Sequence, residues 1–298
     1  MRLFLLMALI FSLPGCRRPP PETKRAFESH TLDYDSPTEP ALQARIERID
    51  TELRDRLGMA PEQAAAGVLD LQRPRLAMIH PDRVEYAASV VKIGILLAYF
   101  QLRPDAAQQL DPQTRHELGL MAKASSNEMA AKFSRELGLK QIQQVLDGYH
   151  FYDANRDGGL WVGRHYGQGG ERYGDPVGDH SHAATVRQLL RFYLLLEQGR
   201  LVSPEASRTM REIFLSPEIP HDDIKFVKAL ASRPGVTILR KWGSWENWLH
   251  DTAVITGPGR HYILVALTQH PRGDEYLEGL ARAVDDLMIA DGRVALAR

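Results

Sequence analysis

From Ala41 to Leu57 the apolar residues Leu42, Ile46, Ile49, Leu53 and Leu57 recur at intervals of four, three, four and four. That spacing places them on one face of a helix, and Gly58 supplies a residue that can end it in the left-handed region. Ala65–Leu71 and Arg75–Ile79 read as two strands joined by a turn near Gln72-Arg73-Pro74. Val90 to Phe100 is hydrophobic nearly all round, with Lys92 its only charge, which is the pattern of a buried helix. Asp111 and Pro112 open a helical stretch that runs to Phe133 and is interrupted at Ala124-Ser125-Ser126-Asn127. A short helix covers Leu137–Leu146. Ala183–Glu197 reads as a helix with Val186, Leu189, Leu190, Tyr193 and Leu194 on one face, ended by Gly199, and Ser203-Pro204-Glu205 starts the next. Val236–Trp242, Asp251–Thr256 and Tyr262–Thr268 are β-rich, with Gly257-Pro258-Gly259 between the last two. Asp274 can cap a final helix that turns Tyr276, Leu277, Leu280, Ala281, Val284, Leu287 and Met288 inward.

The order is helix, two strands, a block of helices, three strands, helix. Strands and helices do not alternate regularly, which argues against a parallel sheet. The expected class is α+β: an antiparallel sheet of about five strands, flanked by the N- and C-terminal helices, with an all-helical insert. The sheet lobe takes about residues 41–88 and 233–298, and the helical lobe about 89–232. Asp147 to His182 is rich in glycine, charge and aromatics and has no period; a loop of that length inside a domain is usually functional.

Composition narrows the partners. Of 298 residues 44% are hydrophobic and 25% charged, with a net charge of −1, so nothing points to nucleic acid. The single cysteine, Cys16, rules out an internal disulfide. It follows Arg2 and an 11-residue apolar run, Leu3 to Leu13, too short to span a bilayer and suited to an export signal. Leu13-Pro14-Gly15-Cys16 resembles the lipobox of bacterial lipoproteins, which implies cleavage before Cys16 and a lipid on its thiol. Arg17, rather than Asp, implies an outer-membrane destination facing the periplasm. Residues 16–40, with Pro19, Pro20, Pro21, Pro37 and Pro40, read as a tether.

Ser89 stands three residues before Lys92, so on a helix the lysine can sit over the serine hydroxyl. A buried lysine beside a hydroxyl is a plausible base for a serine nucleophile. Such a pair arises by chance about once in a chain of this length. Two further features change that: Ser125-Ser-Asn127 breaks a helical region, and Lys241-Trp-Gly243 lies on a strand followed by two more. In this order the three resemble the S-x-x-K, S-x-N and K-[ST]-G motifs of the serine β-lactamase and penicillin-binding-protein superfamily. Ala183-Ala-Thr-Val-Arg-Gln-Leu-Leu190 is similar to the helix that follows the active-site loop in class A β-lactamases. The resemblance covers about residues 41–290.

It implies that Ser89 attacks an amide carbonyl, that Lys92 takes its proton, and that Ser125 relays a proton to the leaving nitrogen. Asn127 would hold the substrate's side-chain amide and orient Lys92, while Lys241 supplies positive potential. Trp242, Gly243 and Ser244 would lie on the substrate-binding strand, with the oxyanion between the Ser89 and Ser244 N–H groups. No cofactor is implied. The expected partner is a β-lactam or a D-alanyl peptide of peptidoglycan, the expected state a monomer, and membrane contact runs through the lipid alone. β-Lactam hydrolysis leads; a D-Ala-D-Ala peptidase and a slow-turnover penicillin-binding sensor are the alternatives.

Three departures bear on that choice. Trp242 replaces the motif hydroxyl that helps hold a substrate carboxylate. The loop glutamate that activates the deacylating water in class A enzymes has no counterpart near Trp161 to Gly167; Glu171 and Asp175 are the nearest acidic candidates. The span from Ser89 to Ser125 is short, which implies a more open cleft. Asp153-Ala-Asn155-Arg-Asp157-Gly158 matches the start of a calcium loop, but Arg164 stands where a bidentate glutamate is needed. His165, His180 and His182 lack the further ligands of a zinc site. Trp242, Trp245 and Trp248 read either as packing under the sheet edge or as a platform for a glycan or peptide stem.

Overall fold

The computed structural model describes residues 26–167 and 169–296. Cys16 and the export signal therefore lie outside the described residues. The central sheet is built from β1 (Ala64–Asp70), β2 (Arg75–Ile79) and three C-terminal strands, β8 (Thr237–Trp245), β9 (Trp248–Gly257) and β10 (Arg260–Gln269). Their order is β2-β1-β10-β9-β8, and every neighbouring pair is antiparallel. β8 is an edge strand, and it carries Lys241.

All seven residues of β1 are buried because the sheet is covered on both faces. Side chains alternate across a strand, so Ala64, Ala66 and Val68 join a core with the terminal helices α1 (Pro40–Leu57) and α10 (Gly273–Leu296). Ala65 and Leu69 face the helical lobe. Gly67 lets α7 (Val186–Glu197) approach that face: a Cβ there would stand 2.6 Å from Val186 and 2.7 Å from Leu190. α1 starts where the Glu39 carboxylate accepts from Ala41 N and Leu42 N, and it ends at Gly58 with φ 69°.

In the helical lobe, α2 (Lys92–Leu102) runs through the centre, surrounded by α4 (Pro112–Ala122), α5 (Asn127–Leu137) and α6 (Leu139–Gly148), with α3 (Ala106–Gln109) and α8 (Pro204–Phe214) outside. α2 buries Lys92 through Phe100 without a break, as its sequence demands. Among the described residues no helix is long and apolar enough to cross a membrane.

Four parts of the chain differ from the sequence reading. Ala183 and Ala184 are not helical. They belong to β7 (His182–Ala184), which pairs with β3 (Glu85–Tyr86) and β6 (Trp161–Val162), and α7 begins at Val186 behind a Thr185 cap. Thr185, a β-branched residue with a capping hydroxyl, sets that boundary. β8 extends past Trp242 to Trp245, which pairs with Trp248 across a tight turn whose Glu246 takes φ 50°. Residues 147–182 are not one structureless loop, since β4 (Tyr152–Asp153) also pairs with β5 (Gly158–Gly159). α9 (Lys225–Leu230) is a short helix with no sequence signal strong enough to announce it.

Candidate active site

Ser89 is half-buried on a tight turn between β3 and α2, not within the helix. The turn is of 3₁₀ type: Lys92 N donates to Ser89 O at 3.3 Å, and Ile93 N to Val90 O at 3.3 Å. Ala88, just before the serine, takes φ 46°, a left-handed conformation that a residue with a Cβ adopts only when its surroundings enforce it. Two contacts do so. Ala87 N donates to His182 O at 2.9 Å, and Tyr166 Oη donates to Ala88 O at 2.9 Å. His250, on β9, donates from Nε2 to Tyr86 O at 2.8 Å while its Nδ1 accepts from Thr268 N at 3.2 Å, so the sheet holds β3 through a neutral imidazole.

Lys92 is fully buried. Its Nζ donates to Asn127 Oδ1 at 2.7 Å and to Ser125 O at 2.5 Å, lies 3.4 Å from Ser125 Oγ, and stands 4.4 Å above the Tyr166 ring. Burial lowers its pKa from 10.5 to about 7, so a large fraction is neutral near neutrality. A neutral amine uses two N–H groups on these two acceptors and keeps a lone pair to take a proton.

Ser125 sits between α4 and α5 at φ 60°, and Ser126 next to it caps α5 by accepting from Met129 N. Lys241 Nζ donates to Ser125 Oγ at 2.8 Å and to Trp242 O at 2.8 Å. With its oxygen accepting from lysines, the Ser125 hydroxyl is free to give its own proton elsewhere. Lys241 is itself buried; desolvation first, then the nearby Lys92, holds its pKa well below the ordinary lysine value. The structure thus brings Lys92, Ser125, Asn127 and Lys241 into one hydrogen-bonded group beside Ser89.

β8 lies directly against the serine turn. A Cβ on Gly243 would be 2.9 Å from Ser89 N and 2.9 Å from Ala87 O, so only glycine fits. Ser244, next along, is exposed. Behind the strand stands Lys225, fully buried at φ 54°, which donates to Gly243 O at 2.8 Å, Ser244 Oγ at 2.6 Å and His250 O at 3.2 Å. Burial lowers its pKa to about 8. The segment that presents Lys225 is held by Arg240 and Asp251, a fully buried ion pair at 2.8 Å: Arg240 also donates to Asp222 O and Ile224 O, and Asp251 accepts from Phe226 N. Trp242 is half-buried with its ring 5.2 Å from both Lys225 Nζ and Lys241 Nζ, and its Nε1 is buried without a partner among the described residues.

The three tryptophans do not share one platform. Trp248 packs on Tyr86, His180 and His250, and Trp245 is 58% exposed at the mouth of the site. The cleft of about 410 Å³ is lined by Ser89, Asn127 and Ser244, by Tyr86 and Trp245, and by the loop residues Arg164, His165, Tyr166 and His182 among others. Its lining passes from Ser89 straight to Asn127, so residues 93–124 add no wall.

No carboxylate lines this cleft among the described residues. Glu171 is exposed and accepts from Tyr173 Oη. Asp175 is buried, but its oxygens accept from Tyr152 Oη, Val177 N, Gly178 N and His180 N, which makes it an anchor of the loop. Glu246 is exposed and outside the lining. The place against Lys92 is taken instead by Tyr166, whose ring also packs on His182 at 4.5 Å. Asp153 accepts from Asn155 N at the start of a 3₁₀ turn, and Arg164 bridges to Arg172, so the calcium-like stretch is divided between two hairpins. Among the described residues no group of three or more His, Cys, Asp or Glu could hold a metal ion.

Comparison with solved structures finds this architecture elsewhere. A β-lactamase from Sphaerobacter thermophilus DSM 20745 superposes with a TM-score of 0.66 at 15% identity, covering 82% of this chain and 97% of that one. A β-lactamase from Chitinophaga pinensis DSM 2588 gives 0.63 at 12% identity, covering 83% and 98%. PBP-A gives 0.59 at 17% identity, covering 80% and 95%. At these identities the likeness is one of fold. No curated protein matches in sequence. A sequence model of the beta-lactamase enzyme family (Beta-lactamase2) matches residues 104–288, well over half of the chain. With that match, this fold and a lysine-flanked serine cleft, the chain belongs to the beta-lactamase enzyme family and is a serine hydrolase.

Proposed function

We propose that the protein cleaves an amide through an acyl-enzyme on Ser89, and that it forms this intermediate far faster than it releases it. Its natural substrate is then a D-alanyl peptide of peptidoglycan, and β-lactams label it. The observation that carries this reading is the cleft wall: a serine flanked by two buried lysines, faced by tyrosine and histidine where a water-activating carboxylate is needed for fast release. That favours the peptidase and penicillin-binding readings over rapid β-lactam hydrolysis.

Neutral Lys92 takes the Ser89 proton as Oγ bonds to the carbonyl carbon. The oxyanion is held by the N–H groups of Ser89 and Ser244. On collapse the C–N bond breaks, Ser125 gives its proton to the departing nitrogen, and Lys92 returns one to Ser125. Water later cleaves the ester and restores Ser89. Lys241 keeps the Ser125 oxygen in place throughout. The sequence of residues 1–16 adds the setting: export and a lipid on Cys16 would hold the enzyme at a membrane facing the cell wall.

Purified protein mixed with a fluorescent penicillin and a chromogenic cephalosporin tests the reading. The expected result is one stable label per chain, absent in Ser89→Ala, with little colour. Rapid colour without a stable label would put β-lactam hydrolysis first. A folded wild-type protein that takes no label would remove the penicillin-recognising assignment.

A further inference from the structure

We propose that Tyr166 and Lys225 are positioning residues for the oxyanion: each holds the carbonyl of one of the two peptide units whose N–H groups face the reacting carbonyl, Tyr166 from the cleft wall and Lys225 from behind β8. The inference rests on the acyl-enzyme reading above and adds two residues to it.

In a trans peptide the C=O and N–H point in opposite directions. Fixing the carbonyl therefore fixes where the N–H aims. The Ala88–Ser89 peptide has its carbonyl bonded to Tyr166 Oη at 2.9 Å, and its Ser89 N–H has no acceptor among the described residues. The Gly243–Ser244 peptide has its carbonyl bonded to Lys225 Nζ at 2.8 Å. Its N–H belongs to Ser244, on an edge strand whose outer side faces the serine turn. The missing Cβ at Gly243 brings the two units together. The two holding groups come from separate segments of the chain, Tyr166 from the loop after β6 and Lys225 from the start of α9.

Both holders are buried, and the backbone beside each carbonyl contact departs from ordinary geometry. Tyr166 is 8% exposed and Lys225 0% exposed. A buried ammonium is unfavourable unless well bonded, and Lys225 also departs from ordinary backbone geometry at φ 54°. Ala88 is at φ 46° against the same peptide that Tyr166 holds. The strain on both sides converges on two carbonyls, and through them on two N–H donors. Oxyanion donors act by being aimed beforehand, and removal of one whole donor typically slows the reaction about 10²–10³-fold. A donor that remains but swings loose should cost less, on the order of tenfold.

Tyr166→Phe and Lys225→Met test the proposal. Tyr166→Phe keeps the ring under Lys92 and removes only the hydroxyl. Acylation by a fluorescent penicillin should slow by about tenfold, with unchanged non-covalent affinity and an unchanged pH midpoint, since Lys92 keeps its surroundings. Lys225→Met should show the same split between binding and acylation. A melting curve and circular dichroism identify any variant lost to unfolding, and Lys225→Arg, which restores a donor, should recover part of the rate. Wild-type acylation rates in folded Tyr166→Phe or Lys225→Met overturn the inference. The Ser89 amide resonance gives a readout that needs no substrate. It should shift in Tyr166→Phe, and an unmoved resonance overturns the proposal even if no penicillin reacts. An unlabelled wild-type protein, by contrast, overturns the acyl-enzyme reading.

Discussion

Lys92 Nζ donates to Asn127 Oδ1 at 2.7 Å across the two segments that flank the cleft, one entering α2 and the other opening α5. Asn127 is a neutral partner. Burial alone therefore sets the direction in which the lysine is shifted, down to about 7. An aspartate at the same place would favour the ammonium.

The pH dependence of acylation follows. The base must be neutral, so the rate should rise with pH to a plateau above a midpoint near 7. Asn127→Asp should move that midpoint up by about 1–3 units, leaving little activity at neutral pH. Stopped-flow labelling across pH 5–10 checks both; an unmoved midpoint in the variant would remove Lys92 as the titrating base.

Gly243→Ala should reduce acylation by at least about 100-fold. Its methyl group would meet Ser89 N and Ala87 O, both backbone atoms, at 2.9 Å, so β8 must retreat from the serine turn. Labelling kinetics alongside a melting curve separates this local retreat from loss of the fold.

Arg240 and Asp251 are both buried, and together they hold the segment that carries Lys225. Arg240→Met should destabilise by about 3–5 kcal/mol, because it strands a buried carboxylate. Denaturant unfolding measures this. The double change Arg240→Met with Asp251→Leu should recover part of the stability without recovering acylation.

Acid stability should follow the buried histidines. Burial depresses His250 to about 3 and His182, His221 and His261 to about 4, from an ordinary 6.5. Groups lowered on folding contribute stability above about 6.5, where both states are neutral. That contribution is lost as pH falls from there through the folded values, since the unfolded chain binds the protons first. The melting temperature should drop steadily between pH 6.5 and 4, and His250→Gln, which can keep both hydrogen bonds, should flatten the slope.

Much of this was legible in the sequence. The β-rich runs at Ala65–Leu71 and Tyr262–Thr268 mark two strands of the sheet, and the spacing from Leu42 to Leu57 marks its covering helix. Ser89, Lys92, Ser125, Asn127 and Lys241 were singled out by motif, and the fold brings them together. Other parts carried no local signal. β3 and β7 are two and three residues long, below any readable period. Tyr166, Lys225 and His250 act across the fold, on Ala88, Gly243 and Tyr86, and single residues in loops or on strands do not announce such partners. Asp175 is an acidic candidate in the sequence alone because its four donors, from its own loop and from Tyr152, are gathered only by the fold.

Intact-protein mass spectrometry after mixing with benzylpenicillin shows whether a long-lived acyl-enzyme forms. Nearly every chain should gain the mass of one penicillin, digestion should place the adduct on Ser89, and the adduct should persist long after free penicillin is removed. A chain whose mass never changes while its fold is intact, or one that consumes the penicillin as fast as it is supplied, would contradict that expectation.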